Sequence, residues 1–598
     1  MTTNEIEFHE ESEKLKENLQ KIEALSTRFA AALAQKKPIR HALQAPGEDF
    51  FASSAAAYWQ KTFNSPGEMF EHQIEFWGKT LRHAIEAQQS FLTQGTAPAD
   101  NSPKDPRFRN PLWDTHPYFN YIKQQYFLTA KALEQSIDKL EGLDPQTQRR
   151  VEYFTRQMID MMAPTNFLAT NPDALERAVE TEGQSLVDGL ENMIRDLERN
   201  NGELVVTLSD PDAFTVGENL GTTEGGVVFR NRMFELIQYK AVTEKAYEIP
   251  LVIFPPWINK FYILDLKPEN SLIKWITEQG FTLYVVSWVN PDLSFADVGM
   301  DTYIEDGFLT AIDQVRSLSG QDKINVVGYC IAGTTLSLTL SLLKQRGEDK
   351  VNSATFFTAL TDFSDQGEVG VFLDDDFVDG IEEEVADKGV MGSLYMARTF
   401  SYLRANDLIY TPAVRSYLLG TAPPAFDLLH WNGDSTNLPG RMAVEYLRGL
   451  CQGDQFAGEG PGFPVLGTHL RIEEVEVPLC AIACETDHIA AWRSSYRGMR
   501  KMGSKDKTFI LSESGHIAGI VNPPSKKKYG HYTNDDWPED PTEWQAGATR
   551  HDGTWWFRWG EWLASRSGKK KPAPALGDSS HPVLADAPGT YVIARPTL

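Results

Sequence analysis

Cys330 sits where a chain places a nucleophile. A short apolar run (Ile324, Val326, Val327) leads into Gly328-Tyr329-Cys330-Ile331-Ala332-Gly333-Thr334, and a helix-prone stretch, Leu336 to Leu343, follows. Strand, sharp turn and helix with the reactive residue at the apex form the nucleophile-elbow pattern. The strained apex requires small neighbours, and Gly328, Ala332 and Gly333 supply them. The usual apex residue is Ser. Here it is Cys, and thiolates attack thioesters readily, so the exchange points to acyl transfer from a thioester. The competing reading of a lone thiol is a small buried hydrophobe. The elbow setting and the residues downstream favour the nucleophile.

Those residues come in the order nucleophile, acid, histidine, as in an α/β-hydrolase. Val477 to Cys484 reads as a buried strand, and Glu485-Thr486-Asp487-His488-Ile489 follows its end. Asp487 is the candidate acid, with Glu485, Asp362 and Asp365 as rivals. Thr508 to Leu511 reads as the next strand, and the loop Ser512 to Gly519 holds His516, the candidate base. His488 is the rival base, but neighbours on one loop rarely face each other. The Cys and His residues show no zinc spacing. One oxyanion donor is expected at the Ile331 backbone N–H, directly after the nucleophile. The second is expected from the loop after Leu251–Phe254. Pro255 and Pro256 carry no N–H, so Trp257 is the first residue able to donate.

Taken together, these segments resemble the class I polyhydroxyalkanoate synthases, whose lipase-like box carries Cys for Ser. The likeness rests on the Cys330, Asp487 and His516 segments and on Asn522-Pro523-Pro524. It rests also on Pro255-Pro256-Trp257-Ile258-Asn259-Lys260, Asp427-Leu428-Leu429-His430-Trp431-Asn432 and Asp434-Ser435-Thr436-Asn437-Leu438-Pro439. It runs from about Asp105 to about Leu563. Two departures stand out: Ala332 where many relatives have Gly, and Trp257 where a smaller residue is common. The resemblance implies polymerisation of (3R)-3-hydroxyacyl-CoA, chiefly short-chain units such as 3-hydroxybutyryl, through a Cys-linked acyl intermediate. CoA enters with the substrate and leaves as product, so no bound cofactor is implied. Asp487 would either orient His516 or activate the hydroxyl of the incoming unit. Arg404 and Trp431 match family positions near the cap, and His488 is a secondary candidate beside the acid. A homodimer at the surface of cytoplasmic polyhydroxyalkanoate granules, with granule-associated proteins as further partners, is also implied. The alternative of the same fold is a Cys-dependent thioesterase, esterase or polyester depolymerase.

At 598 residues the chain exceeds one typical domain. Its net charge of −26 argues against a nucleic-acid partner, whose phosphates would repel it. No apolar run is long enough for a membrane span, and the N-terminal Met1-Thr2-Thr3-Asn4-Glu5 lacks a signal-peptide core. Four cysteines in so long a chain do not make a disulfide framework, and a reducing cytoplasm fits a free Cys330.

The expected fold class is α/β: an α/β-hydrolase catalytic domain with a cap insertion, preceded by a mostly α-helical domain. The helical domain is placed at 1–211, with 1–100 read as a dimer, granule or activation region. Leu15, Leu19, Ile22, Leu25 and Phe29, then Trp59 to Leu81, show helical spacing, and 93–111 reads as a linker. Arg149 to Met162 and Asp173 to Asn200 read as long amphipathic helices. From Glu203–Leu208 onward β-rich runs appear, then alternate with helices, the mark of a mostly parallel sheet. The catalytic domain spans 212–567, with a cap at about 366–470 that would exclude water. Residues 568–598, rich in Lys, Pro and Ala, read as a flexible tail.

Overall fold

A computed structural model describes residues 17, 18, 21, 24–35, 102–138 and 143–594. The apolar stripe from Trp59 to Leu81 and the first part of the expected linker lie outside the described residues. The chain divides into two compact units: Met1–Asp210 with Ser401–Pro424, and Pro211–Phe400 with Ala425–Leu598.

The first unit is helical. Its main helices are α1 (Pro117–Asp138), α2 (Pro145–Met161), α3 (Pro172–Glu180) and α4 (Gln184–Arg199). Sequence dictates their starts. Asp144 accepts from the N–H of Gln146 and Thr147, Asn171 accepts from that of Ala174, and a Pro opens each of α2 and α3. The single helix expected over 173–200 is broken, because Glu182 and Gly183 take positive φ angles of 52° and 81°. Residues 24–33 are helical, and Leu25 packs with Val187 and Ile194 of α4. Arg28 pairs with Glu191 and Glu198 on the same helix.

Three expectations change here. The described part of the linker is fixed: Phe108 packs edge-on to Trp113, and Arg107 binds Asp105, Asp160 and Asn406. Glu203–Leu208 forms no strand; Thr207 donates its N–H to Asp196 of α4 at 3.0 Å instead of pairing with a strand. The expected cap is also divided, since Ser401–Pro424 belongs to the helical unit. A Cβ on Gly189 of α4 would stand 2.0 Å from the Tyr417 carbonyl oxygen, so glycine permits that close approach. Tyr417 donates to Asp196 at 2.8 Å beside it.

The second unit is built on an 11-stranded mixed sheet. In chain order its strands are β1 (Gly225–Arg230), β2 (Phe234–Tyr239), β3 (Leu251–Phe254), β4 (Leu283–Trp288), β5 (Ile324–Tyr329), β6 (Val351–Phe357), β7 (Leu479–Cys484), β8 (Lys507–Ser512), β9 (His531–Thr533), β10 (Thr549–His551) and β11 (Ala585–Asp586). Across the sheet they run β10-β9-β8-β7-β6-β5-β3-β4-β2-β1-β11. The stretch from β8 to β4 is parallel. Its strands are covered on both faces, which is why β3 and β7 read as unbroken apolar runs without alternation. Helix α5 (Ile331–Arg346) leaves the end of β5, buried along most of its length.

Residues 568–594 are docked, not flexible. Lys570–Pro572 pairs antiparallel with Lys245–Tyr247, and β11 pairs with β1. The fully buried Glu235 accepts from the N–H of Thr590 at 2.8 Å and of Tyr591 at 3.0 Å, and pairs with Arg230. These strands are only two or three residues long, Lys570-Lys571-Pro572 and Ala585-Asp586, so no periodicity marks them. The sheet edge supplies their hydrogen bonds. Among the described residues no helix is long and apolar enough to cross a membrane.

Candidate active site

The carboxyl ends of the parallel strands gather the predicted residues, as expected for ligand sites in open α/β sheets. Cys330 caps β5 with φ 54° and ψ −127°, a conformation that L-residues rarely adopt. Its N–H donates to the Phe357 carbonyl on β6 at 2.8 Å, and its carbonyl accepts from Gly333 at 2.8 Å. The small neighbours are steric necessities. A Cβ on Gly328 would lie 2.6 Å from the Gly333 Cα, and one on Gly333 would lie 2.5 Å from the Ala359 Cβ. Ala332 is fully buried and is accommodated.

All four cysteines are free, and Cys330 is the one that is not buried. Burial pushes the Cys451 thiol up to about 12 and raises those of Cys480 and Cys484, which keeps them protonated. Cys330 is therefore the thiol placed to react.

His516 Nδ1 lies 2.7 Å from Asp487 Oδ2. The Asp487 side chain is fully buried, and its Oδ1 accepts from the N–H of Ile489 at 2.8 Å and Ala490 at 2.9 Å. Burial pulls the His516 imidazole down. The Asp487 carboxylate, hydrogen-bonded to the ring, and the nearby Cys330 sulfur outweigh it and hold the imidazole well above its usual value. The rivals are engaged elsewhere: Glu485 accepts from Gln545 at 2.7 Å, Asp362 pairs with Lys501 at 2.8 Å, and Asp365 faces Arg497 at 3.6 Å. His488 is partly buried beside Asp487, but the carboxylate is turned to His516.

The His516 loop is pinned from behind. Trp555 and Trp556 donate to the carbonyls of Gly519 at 2.7 Å and Ile520 at 2.9 Å. Tyr329 stacks on the imidazole with ring centres 5.9 Å apart. Sequence reasoning gave none of these three a role. The paired tryptophans next to Thr554 are a visible signal; nothing marks Tyr329 beyond its place before the nucleophile.

Ile331 is the first residue of α5, and its N–H is one of the helix's unpaired donors. The loop after β3 carries Trp257, whose backbone N–H has no acceptor among the described residues. β3 and β5 are paired with Phe254 opposite Gly328, which brings this loop beside the elbow. The Trp257 ring is buried and donates to Thr335 of α5 at 3.1 Å, so Ile258, not Trp257, lines the cavity beside Cys330. Two sequence motifs brace this loop. Trp431 donates to the Lys260 carbonyl at 2.7 Å, Thr436 to the Trp257 carbonyl at 3.1 Å, and Lys260 pairs with Asp434 at 2.6 Å. Trp431 is thus a buried brace of the loop. Arg404 is exposed and belongs to the helical unit.

Cys330 opens on an apolar cavity of about 100 Å³, walled by Phe363, Phe372, Phe377, Ile381, Met396 and Leu447 among others. A strained thiol, a buried imidazole–carboxylate pair and free backbone donors beside an apolar cavity suit acyl transfer through a covalent thioester.

Residues 104–276 match the family described as the N-terminus of poly-beta-hydroxybutyrate polymerase (PhaC), and residues 250–523 match the alpha/beta hydrolase fold. The poly(3-hydroxyalkanoate) polymerase subunit PhaC of Cupriavidus necator is 42% identical, covering 84% of this chain and 85% of its own. The poly(3-hydroxyalkanoate) polymerase of Methylorubrum extorquens is 38% identical over 94% of both chains. Among solved structures, a soluble variant of monoglyceride lipase from Saccharomyces cerevisiae aligns with 60% of this chain and 99% of its own, at 10% identity and a TM-score of 0.36.

Proposed function

The chain belongs to the poly(3-hydroxyalkanoate) polymerase family, and on that premise we propose that it is an acyltransferase. It joins (3R)-3-hydroxyacyl units, chiefly short-chain, from their coenzyme A thioesters into a polyester and releases CoA. The observation that carries this reading is the Cys330–His516–Asp487 arrangement at a strained elbow facing an apolar cavity.

His516 takes the proton of Cys330, and the sulfur attacks the thioester carbonyl. The oxyanion sits against the N–H groups of Ile331 and Trp257. Collapse breaks the bond to the CoA sulfur, which leaves with the proton held by His516. In chain growth a hydroxyl oxygen attacks the enzyme-bound thioester, a C–O bond forms, the bond to Cys330 breaks, and the hydroxyl proton passes through His516. Asp487 fixes the imidazole in the tautomer that leaves Nε2 free to take protons. The apolar wall supports polymerisation over hydrolysis, because water reaching the acyl-enzyme would end each chain.

CoA is substrate and product, so no bound cofactor enters the scheme. The reading extends to a cytoplasmic homodimer working at the surface of its own polymer granule, with granule-associated proteins as neighbours. Incubation with (R)-3-hydroxybutyryl-CoA tests the activity. CoA release with rising turbidity supports it; release of free hydroxyacid supports the thioesterase alternative. Longer acyl chains in the same assay test the short-chain preference, and sedimentation tests the dimer.

A further inference from the structure

Thr358 follows β6 and sits in the left-handed region, with φ 42°. A β-branched residue there is a backbone outlier, kept only where the surroundings enforce it. They do: its N–H donates to the Ile482 carbonyl on β7 at 2.7 Å. β6 pairs with β5 so that Tyr329 faces Phe357, which puts Cys330 and Thr358 side by side at the tops of adjacent strands, both at positive φ.

Thr358 is fully buried, lines the cavity next to Cys330, and its hydroxyl has no hydrogen-bond partner. Other hydroxyls lining the cavity are engaged. Thr334 donates to the Leu360 carbonyl at 2.5 Å, Thr399 to that of Tyr395 at 3.1 Å, Tyr395 to Glu384 at 2.8 Å, and Tyr446 bonds Cys451. A buried hydroxyl without a partner is costly and calls for an explanation. Threonine is also poorly suited to this backbone, so conformation does not explain its presence.

We propose that the Thr358 hydroxyl hydrogen-bonds the oxygen on C3 of the acyl unit held at Cys330, and so selects 3-oxygenated acyl groups over plain ones. The proposal rests on the acyl-transfer reading above. The thioester carbonyl oxygen is met by backbone N–H groups, which leaves the side-chain hydroxyl for the next oxygen along the chain. An apolar wall alone discriminates weakly against a missing hydroxyl. A site hydroxyl left unpaired by the wrong substrate discriminates far more strongly.

The test compares (R)-3-hydroxybutyryl-CoA with butyryl-CoA in single-turnover acylation, followed by loss of thioester absorbance, for wild type, T358V, T358A and T358S. T358V keeps the shape without the hydroxyl, T358A removes the hydroxyl with less backbone strain, and T358S keeps the hydroxyl. The expected result is a fall of about 10- to 100-fold in kcat/KM for the hydroxyacyl substrate in T358V and T358A. Butyryl transfer stays within about threefold, and T358S keeps the wild-type preference. Equal losses on both substrates, no loss, or a preference lost in T358S as fully as in T358A would overturn the proposal. Wild type that transfers neither acyl group would instead overturn the acyl-transfer reading itself. Wild type that transfers both equally would overturn the selectivity role alone.

Discussion

Asp487→Asn should disable the site through a tautomer, with the fold intact. Asp487 Oδ1 is held by the N–H groups of Ile489 and Ala490 at 2.8 and 2.9 Å, and Oδ2 faces His516 Nδ1 at 2.7 Å. In the variant the amide oxygen keeps the two backbone donors, so its NH₂ must point at Nδ1. Nδ1 then has to accept, the ring proton moves to Nε2, and Nε2 no longer takes the Cys330 proton. The same exchange in a Ser-His-Asp triad costs about 10⁴-fold in kcat. Cysteine needs its base less than serine does, so a loss of about 10³- to 10⁴-fold is expected here, or about 4–5.5 kcal/mol of barrier. The assay is rapid-quench measurement of the first CoA released from (R)-3-hydroxybutyryl-CoA, alongside steady-state turnover and a thermal melt. Both rates should fall while the melt stays close to wild type. If the first CoA still leaves within tenfold of the wild-type rate and only turnover collapses, the tautomer argument fails. Asp487 would then act on the incoming hydroxyl.

His516→Gln should abolish CoA release, whereas His488→Gln should retain most of it, because the Asp487 carboxylate is turned to His516; comparable losses in steady-state assays would contradict the assignment. Gly333→Ala places a methyl 2.5 Å from the Ala359 Cβ. Denaturant melts should show about 1–3 kcal/mol of destabilisation, partly recovered by adding Ala359→Gly; no recovery would mean that another contact sets the cost. Burial and the nearby Asp362 push the Asp454 carboxyl up to about 6. A carboxyl raised in the folded state stabilises most when protonated, below its unfolded value, and that stability is lost as pH rises through about 6. Between mildly acidic and slightly alkaline buffer, wild type should therefore lose about 1 kcal/mol more stability than Asp454→Asn, once solvent screening is allowed for. Parallel pH profiles in thermal melts would count against this.

The elbow was legible because its demands are local: Gly328, Ala332 and Gly333 flank one reactive residue, and sterics leave few alternatives. Strands β3, β7 and β8 were legible because strands covered on both faces read as apolar runs. β2 escaped because Glu235 interrupts its apolar run, yet that charge is fully buried and satisfied by Arg230 and by residues some 350 positions later. The docked C-terminal strands escaped for the same reason. Their stability lies in a remote sheet edge, and their own composition is that of a solvated tail. In the site, Asp487 and His516 could be named from order along the chain. The bracing of the Trp257 loop by Trp431, Thr436 and Asp434 joins segments some 170–180 residues apart and becomes visible only in three dimensions. Thr358 reads as an ordinary strand-end residue until its backbone angle and unpaired hydroxyl are seen.

The most direct measurement gives purified protein (R)-3-hydroxybutyryl-CoA and follows thioester loss and turbidity together, with Cys330→Ala alongside. The account predicts thioester loss with rising turbidity in wild type, and neither in a Cys330→Ala protein that melts like wild type. Thioester loss without polymer, or polymer still formed by Cys330→Ala, would contradict it.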